Sequence, residues 1–391
     1  MREGWEYKKL GEIGNIVTGS TPSTKDESNY SPREYCFVKP SDLPSKGIAN
    51  IKETEYYVSK KGLSRSRVLP SGSVLVSCIG SIGKIGILTK EACSNQQINA
   101  IIPNNGIDSK FIAYIICAYR FLLESIANAP VVPIINKTDF SKIAIPIPPK
   151  FTQLAIVSEL DKINELIRLK KEQLKDFDNL AQSLFYEMFG DPVENEKGWE
   201  VKMLGDVCNI TSSKRIFADE YTDKGIPFYR SKEVIERSKG LPISVELFIS
   251  PERYSEIKEK FGIPNVGDIL ITAVGTIGKI WSIDTDEKFY FKDGNLVWLK
   301  DIDSSLANTI FFRRLLEYLI DEYKKINANG AAYSALTIAK LKLMQCPLPS
   351  LPLQHLFAHR IEQIEHQKSE VQKAITDLET LLASRMQYWF E

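Results

Sequence analysis

Three short motifs occur twice in this chain, in the same order and at nearly constant spacing, and this duplication constrains the fold more than any other feature. The pairs are GWEYKKLGEI at 4–13 with GWEVKMLGDV at 198–207, GSIGKI at 80–85 with GTIGKI at 275–280, and IPIP at 145–148 with CPLP at 346–349. The copies are offset by 194 to 201 residues, far more than the period of a solenoid repeat. The sequence therefore predicts a duplication of one large unit.

The motifs also predict where each copy begins and ends. Each copy reads as a globular domain of about 150 residues, a common size for one domain, followed by a segment almost free of Pro and Gly. Gln153 and Gln354 stand at the same place after the two proline motifs. We predict globular domains at 1–150 and 191–350, and spacer helices at 151–190 and 351–391.

Apolar residues in both spacer segments recur in steps of three and four, the period of a left-handed coiled coil. The predicted seam consists of Ile156, Leu160, Ile163, Ile167, Leu174, Phe177, Leu184, Phe357, Ile361, Ile364, Val371, Ile375, Leu378 and Leu382. Each helix would be about 58 Å long, longer than a domain of this size is wide. We expect the two seams to pair antiparallel in a pseudo-twofold dumbbell; the alternative is that each helix packs only on its own domain.

The globular domains show short β-rich runs separated by Gly, Pro, Asn and Ser turns, together with one amphipathic helix each. The predicted helices span 109–127 and about 304–325, and no regular alternation of strand and helix occurs. A doubly wound nucleotide-binding sheet is therefore not expected. The predicted fold class is α+β, with two mixed, β-rich domains joined by the two long helices.

The glycine motifs do not match a phosphate-binding loop. That loop needs a Gly five residues before the Gly-Lys pair and a hydroxyl residue after the Lys, whereas this chain has Cys78 and Ile85 at those places, and Ala273 and Ile280 in the second copy. A turn between two strands fits the motif better. Its glycines would allow a close approach of the backbone, and its lysine would project.

Other catalytic signatures are missing as well. The sequence has no Asn/Asp-Pro-Pro-Tyr/Phe motif for base methylation, and its three histidines, His355, His359 and His366, all lie in or beside the second spacer segment. The six cysteines form no Cys-x-x-Cys pair, which favours reduced thiols over a zinc site. We expect no catalytic residue and no metal site. The absence of an apolar signal core or membrane span favours a cytoplasmic location.

The charge is unevenly distributed, although the net charge is zero. Residues 1–150 carry 19 Lys and Arg against 13 Asp and Glu, whereas residues 191–350 carry 22 against 24. A basic segment is a weak indication of nucleic-acid binding. The second domain departs from this pattern, since its acidic residues slightly outnumber its basic ones.

Taken together, these motifs resemble the specificity subunits of type I restriction-modification systems. The resemblance rests on the Gly-Trp-Glu openings, the Gly-x-Ile-Gly-Lys hairpins, the proline entry to a long helix with Gln153, and the aromatic helix end LFYEMFGDP at 184–192, and it covers the whole chain. It implies two target recognition domains, each reading one half of a split sequence in double-stranded DNA. The coiled coil would set the gap between the half-sites.

The resemblance also implies partners that carry out the chemistry. Two methyltransferase subunits would dock on this chain and bring S-adenosylmethionine. Endonuclease and translocase subunits, dependent on ATP and magnesium, would join them for cleavage. The chain itself would bind no cofactor and catalyse no reaction, and no membrane would be involved.

Candidate DNA contacts follow from two rules: Lys and Arg bind phosphates, and polar side chains read base edges. On this basis the candidates are Lys84, Lys279, Ser81, Thr276, Lys39, Arg65, Arg67, Asn95, Gln96, Asn136, Lys137, Arg215, Arg230, Asn329 and Tyr333.

Two other functions fit parts of the sequence. A protein-interaction scaffold explains the repeat and the helices equally well but leaves the twin glycine motifs unexplained. An enzyme that uses scattered carboxylates and lysines would need a cleft that the sequence does not indicate. Only DNA binding predicts a steep loss of affinity with salt.

Overall fold

The structure is a computed structural model that describes residues 4–127, 132–327 and 335–390. The chain divides into two compact units. The first unit consists of Met1–Glu172 and Gln372–Glu391, and the second unit is Gln173–Val371. The division falls inside both long helices, so each unit contains one half of each helix.

In the first unit, three sheets are built mostly from antiparallel strands. The five-stranded sheet has the order Gly14–Thr18, Ile98–Pro103, Val74–Ser77, Ile85–Leu88 and Ile48–Ile51. The three-stranded sheet has the order Tyr56–Val58, Tyr35–Val38 and Ala92–Ser94. The third sheet pairs Glu6–Lys9 with Ala144–Ile147. The helices are Leu10–Ile13, Lys60–Ser64, Ser109–Ala118, Arg120–Ile126 and Lys137–Lys142, with a 3-10 turn at Glu27–Asn29. The strand Val74–Ser77 is buried throughout, because it lies in the middle of the large sheet.

The second unit repeats this plan with two four-stranded sheets in place of the five-stranded and three-stranded ones. One four-stranded sheet has the order Asn209–Thr211, Leu296–Lys300, Ile269–Thr272 and Ile280–Ser282. The other has the order Tyr221–Thr222, Phe248–Ile249, Ile226–Tyr229 and Tyr290–Phe291. A third sheet pairs Glu200–Met203 with Gln345–Leu348. The helices are Leu204–Val207, Ser231–Ser238, Pro251–Phe261, Thr309–Asn327 and Ile338–Lys342, with a 3-10 turn at Ala218–Glu220.

The amphipathic helix predicted for each copy is present, with two differences in its bounds. In the first unit it stops at Ala118, because Tyr119 leaves helical geometry at φ −86° and ψ 13° before a second helix begins at Arg120. In the second unit it begins at Thr309, since the Asn308 side chain caps it by accepting from the amides of Ile310 and Phe311 at 3.0 and 3.2 Å. We call Ser109–Ala118 and Thr309–Asn327 the domain helices.

The two long helices span Lys150–Phe189 and Leu351–Phe390. In the first unit, the start of the first helix pairs with the end of the second: Arg385 and Trp389 donate to Glu159, and Lys171 binds Glu379 at 2.7 Å. In the second unit, Lys368 binds Asp178 at 2.7 Å. The predicted antiparallel pairing is confirmed, and the α+β fold class with it.

Each core joins a domain helix to both long helices. Phe111 of the first domain helix packs edge-on against Phe390, with ring centroids 5.8 Å apart. Phe311 makes the equivalent contact with Phe189, at 4.8 Å. The alternative of a helix that packs only on its own domain is therefore wrong, because each core also takes in the other long helix.

Within the described ranges, no helix combines the length and the apolar character needed to cross a membrane.

Candidate nucleic-acid interface

The first glycine motif forms the turn of a hairpin between the strands Val74–Ser77 and Ile85–Leu88. Inside the turn, the buried Ser77 hydroxyl accepts from the Lys84 amide at 2.9 Å and donates to the Ser81 carbonyl. Gly83 has φ 75°, in the left-handed region that favours glycine. A Cβ atom there would meet Arg120 Cγ at 3.0 Å, so the turn lies closely against Arg120.

The second glycine motif forms an equivalent turn with the same two side-chain hydrogen bonds. The Thr272 hydroxyl, also fully buried, accepts from the Lys279 amide at 2.9 Å and donates to the Thr276 carbonyl. Gly278 has φ 76°, and a Cβ atom there would lie 2.4 Å from Ile320 Cγ2 and 2.6 Å from Lys324 Cε. We call these two turns with their strands the glycine hairpins.

Two further segments meet the first glycine hairpin at the residue that precedes its turn. The Cys78 amide donates to the Gln97 carbonyl and the Cys78 carbonyl accepts from the Ile135 amide, both at 2.8 Å. The Gly80 amide donates to Pro133 at 2.9 Å. The hairpin, the turn around Gln97 and the loop from 132 to 136 therefore lie directly against one another.

The second unit has the same junction. The Ala273 amide donates to Asn295 at 2.8 Å, and its carbonyl accepts from Leu336 at 3.1 Å. A cavity of about 300 Å³ opens there, lined among others by Ser212, Asp293 and Thr337.

The predicted DNA-contacting residues near the first glycine hairpin differ in their exposure and in their hydrogen-bond partners within the chain. Ser81 and Lys137 are exposed, and the half-buried Lys84 donates its amine to the Pro40 carbonyl at 3.2 Å. Gln96 is exposed and accepts from the Thr21 hydroxyl at 2.7 Å.

Two predicted base readers of the first unit have structural partners instead. Asn95 is only 7% exposed, and its side chain bonds the Gln97 amide and side chain at 3.1 and 2.8 Å. The Asn136 side chain caps the helix Lys137–Lys142 by accepting from Asp139 at 2.9 Å. The side chains of Asn95 and Asn136 therefore stabilise the local backbone, and their main hydrogen-bonding groups are already used within the chain.

The remaining basic candidates of the first unit also have partners within the chain. The Lys39 amine lies 3.1 Å from the centroid of the Tyr56 ring, and Arg67 donates to the Thr18 carbonyl at 2.6 Å. Arg65 forms an ion pair with Asp26 at 2.8 Å. Hydrogen bonds from Ser28 and Lys61 hold the pKa of the Asp26 carboxyl well below its usual range.

In the second unit, Lys279 and Thr276 are exposed on the hairpin, but the two arginines are engaged. Arg215 binds Asp293 at 2.7 Å. Arg230 binds the fully buried Glu233 at 3.0 Å and Glu246 at 2.8 Å. Hydrogen bonds from Lys232 and Arg230 lower the pKa of Glu246 to about 2. Asn329 and Tyr333 lie outside the described residues.

The predicted seam residues all lie on inward-facing positions of the long helices. Ten of them are buried, and Leu174, Phe177, Leu378 and Leu382 are half-buried. The face of each helix that carries them is the one that enters the cores described above.

Four residues of the interface were not predicted. Ser77 and Thr272 hold the turns, and the duplication marks them, since both are hydroxyl residues at the same place before the motif. Arg120 and Lys324 bring a second cation to each hairpin; Arg120 donates to the Ser45 carbonyl at 2.7 Å, and Lys324 binds Asp321 at 2.8 Å. No local pattern marks these two, because tertiary packing brings them to the hairpins.

A sequence model of the family described as the type I restriction modification DNA specificity domain matches the chain twice, at residues 2–176 and 196–380. The type I restriction enzyme MjaIX specificity subunit of Methanocaldococcus jannaschii is 26% identical to the chain, over 96% of the chain and 90% of that protein. The putative type I restriction enzyme specificity subunit S.HindORF215P of Haemophilus influenzae is 25% identical, over 92% and 87%.

Two solved structures have a similar fold. The S subunit of a type I restriction-modification system from M. genitalium aligns with a TM-score of 0.54 at 15% identity, over 99% of this chain and 96% of that one. A chain from a study of complex assembly and conformational transition in the type I R-M system aligns with a TM-score of 0.65 at 19% identity, over 99% and 97%.

Proposed function

Because the chain belongs to the family of type I restriction-modification DNA specificity domains, we propose that each of its two domains reads one half of a split DNA target with its glycine-hairpin face. The chain is a DNA specificity subunit with two recognition domains, as the sequence motifs predicted.

The observation that carries the proposal is the repeated hairpin. In both copies a buried hydroxyl fixes the turn, and the lysine that ends the turn is followed by a buried strand. A fixed turn that carries a cation, exposed at Lys279 and half-buried at Lys84, suits a contact with the DNA backbone, where Lys and Arg provide affinity and set the register. The polar residues beside it would read base edges.

The paired long helices are proposed to set the gap between the half-sites. A duplex presents the same groove about every 34 Å, so two domains on a stiff spacer match one separation of half-sites. The polar contacts of Glu159 with Arg385 and of Asp178 with Lys368 support a fixed register of the helices.

The chemistry is proposed to belong to partners. Two methyltransferase subunits would dock on the chain and bring S-adenosylmethionine, and endonuclease and translocase subunits would use ATP and magnesium. The chain would act without a cofactor of its own, in the cytoplasm with the chromosomal DNA. Since Arg215 and Arg230 are engaged in ion pairs, the methyltransferase would supply part of the positive surface over the second domain.

The experiment is to co-express the chain with its methyltransferase in a host without DNA methylation and to map modified bases across the genome by single-molecule sequencing. We expect a motif of two short defined halves around a fixed run of arbitrary bases. If the subunits assemble but modify no such motif, the DNA-reading function is wrong for this chain and a protein scaffold becomes the better hypothesis.

A further inference from the structure

Each long helix carries a buried glutamine in its first turn, Gln153 in the first unit and Gln354 in the second. Their side chains are 1% and 0% exposed. A buried amide is costly unless its donors and acceptor are paired. Both glutamines are paired, and in the same way.

Gln153 joins the first long helix to the first domain helix. Its amide nitrogen donates to the Pro148 carbonyl at 2.9 Å, just ahead of the long helix, and to the Gly106 carbonyl at 3.3 Å. Its oxygen accepts from the Asp108 amide at 2.9 Å. Asp108 is the residue whose carboxylate caps the domain helix, accepting from Lys110 at 3.0 Å.

Gln354 makes the equivalent three bonds in the second unit. It donates to the carbonyls of Pro349 and Leu306 at 2.8 and 2.9 Å, and accepts from the Asn308 amide at 2.8 Å. Asn308 caps the second domain helix. The glutamine thus binds the cap residue in both copies, although the cap itself has changed from Asp to Asn.

A second contact lies further along each pair of helices. In the first unit, Asn164 of the long helix donates to the Tyr114 hydroxyl at 3.1 Å. In the second unit, Glu365 binds Arg314 at 3.2 Å. These are corresponding positions in the two copies with different chemistry. In the first unit Asp161 of the long helix also binds Lys110 at 2.5 Å and accepts from the Tyr114 hydroxyl at 2.7 Å, so each domain helix is attached to its long helix at more than the glutamine alone.

The glycine hairpin lies beside the second domain helix itself, and in the first unit beside the residue that follows the helix break. Arg120, just after the first domain helix, lies against Gly83, and Ile320 of the second domain helix lies against Gly278. The domain helix is therefore a strut whose start is attached to the long helix and whose far end leads to the turn proposed to contact DNA, directly in the second unit and through Arg120 in the first.

We infer that Gln153 and Gln354 are positioning residues that fix the direction of each strut from the long helix, and thereby hold the complex to one gap length between half-sites. Even a small change of angle at this joint would move the hairpin relative to the spacer, and neighbouring gap lengths would then be accepted. The inference rests on the proposed function and adds the residues that determine spacing.

The test uses the full chain assembled with its methyltransferase, after the split motif has been mapped. Duplexes carry the two half-sites at the native gap and at gaps one base pair shorter and longer. The variants Gln153→Met and Gln354→Met approximately keep the side-chain volume and remove the hydrogen bonds. We expect the preference for the native gap to fall by about tenfold, because up to three buried hydrogen bonds are lost, while the bases required in each half-site stay the same.

The matched control is Gln367→Met, an exposed position on the second long helix, which is expected to keep the full preference. Circular dichroism melting checks that each variant is folded. An unchanged gap preference in both variants overturns the inference, and so does failure of both to fold, since the glutamines would then maintain the domains rather than direct them. A wild-type complex that modifies no split motif refutes the proposed function instead, so the two failures are distinguishable.

Discussion

Ser77 and Thr272 occupy the same place in the two glycine hairpins and make the same bonds. Each hydroxyl is fully buried, and each accepts from the amide of the lysine seven residues later at 2.9 Å. The second copy has exchanged Ser for Thr and kept the hydroxyl, which is the group that the turn needs.

We predict that Thr272→Val loosens the second hairpin. The substitution keeps the shape of the side chain but leaves the Lys279 amide and the Thr276 carbonyl without their partner, at a cost of about 1–3 kcal/mol. Hydrogen exchange of the segment 276–282, followed by mass spectrometry, is expected to accelerate. Thr272→Ser, which retains the hydroxyl, is the control; equal exchange in the Val and Ser variants would show that the hydroxyl does not hold the turn.

Replacing the hairpin lysines is expected to weaken DNA binding evenly across sequences. Lys84→Gln and Lys279→Gln each remove a proposed phosphate contact, so the slope of log affinity against log salt should become shallower by about one for each variant. The mapped motif should not change. Titrations at several salt concentrations measure the slope, with Lys373→Gln on the second long helix as the charge-matched control. A variant that altered the bases of one half-site would make the lysine a base reader instead.

The contact of Glu159 with Arg385 predicts a pH-dependent stability of the first unit. The Arg385 hydrogen bond, aided by Trp389, holds the pKa of Glu159 below its usual value of 4.5. The unfolded chain therefore binds this proton more readily in acid, so the contribution is complete above pH 4.5 and is lost as the pH falls through the lower folded pKa. Glu159→Gln should cost about 1 kcal/mol at neutral pH, allowing for solvent screening of a partly exposed pair.

Thermal unfolding between pH 7 and pH 3 checks this prediction, because the curves of the wild type and Glu159→Gln should converge in acid. Arg360 stands at the equivalent position of the second long helix and is exposed, so Arg360→Gln is the control and should leave the melting temperature unchanged. A constant difference between wild type and Glu159→Gln at all pH values would contradict the assigned ionic contact.

Lengthening both long helices should widen the gap in the DNA target. Seven residues inserted after Glu172 and seven after Gln372 preserve the seam and add about 10.5 Å, equivalent to about three base pairs. Mapping of modified bases should then return the same half-sites further apart. A heptad in one helix alone is expected to abolish modification; an unchanged gap in the double insertion would show that the helices do not set it.

The sequence predicted the elements that depend on local pattern. The strands near 74–78 and 269–273, the turns after them and the two long helices lie where the motifs and periodicity placed them. The turns could be located because glycine spacing and a following buried strand are local features, and because each appeared twice.

The candidate site was less predictable, because charge pairing is not local. Arg65 and Asp26, or Arg215 and Asp293, are far apart in sequence and become ion pairs only in the fold. A count of lysines and arginines treats such residues as available to DNA. The same limitation hid Arg120, which follows the helix break at Tyr119 and lies against Gly83 only in the folded chain.

The position of Phe390 has a consequence for how the protein is made. Its ring packs on Phe111 in the core of the first unit, together with Leu382 and Met386. A ribosome completes the whole second unit before it synthesises these residues. The domain that is translated first is therefore completed last, because its core lacks Leu382, Met386 and Phe390 until these residues have been synthesised.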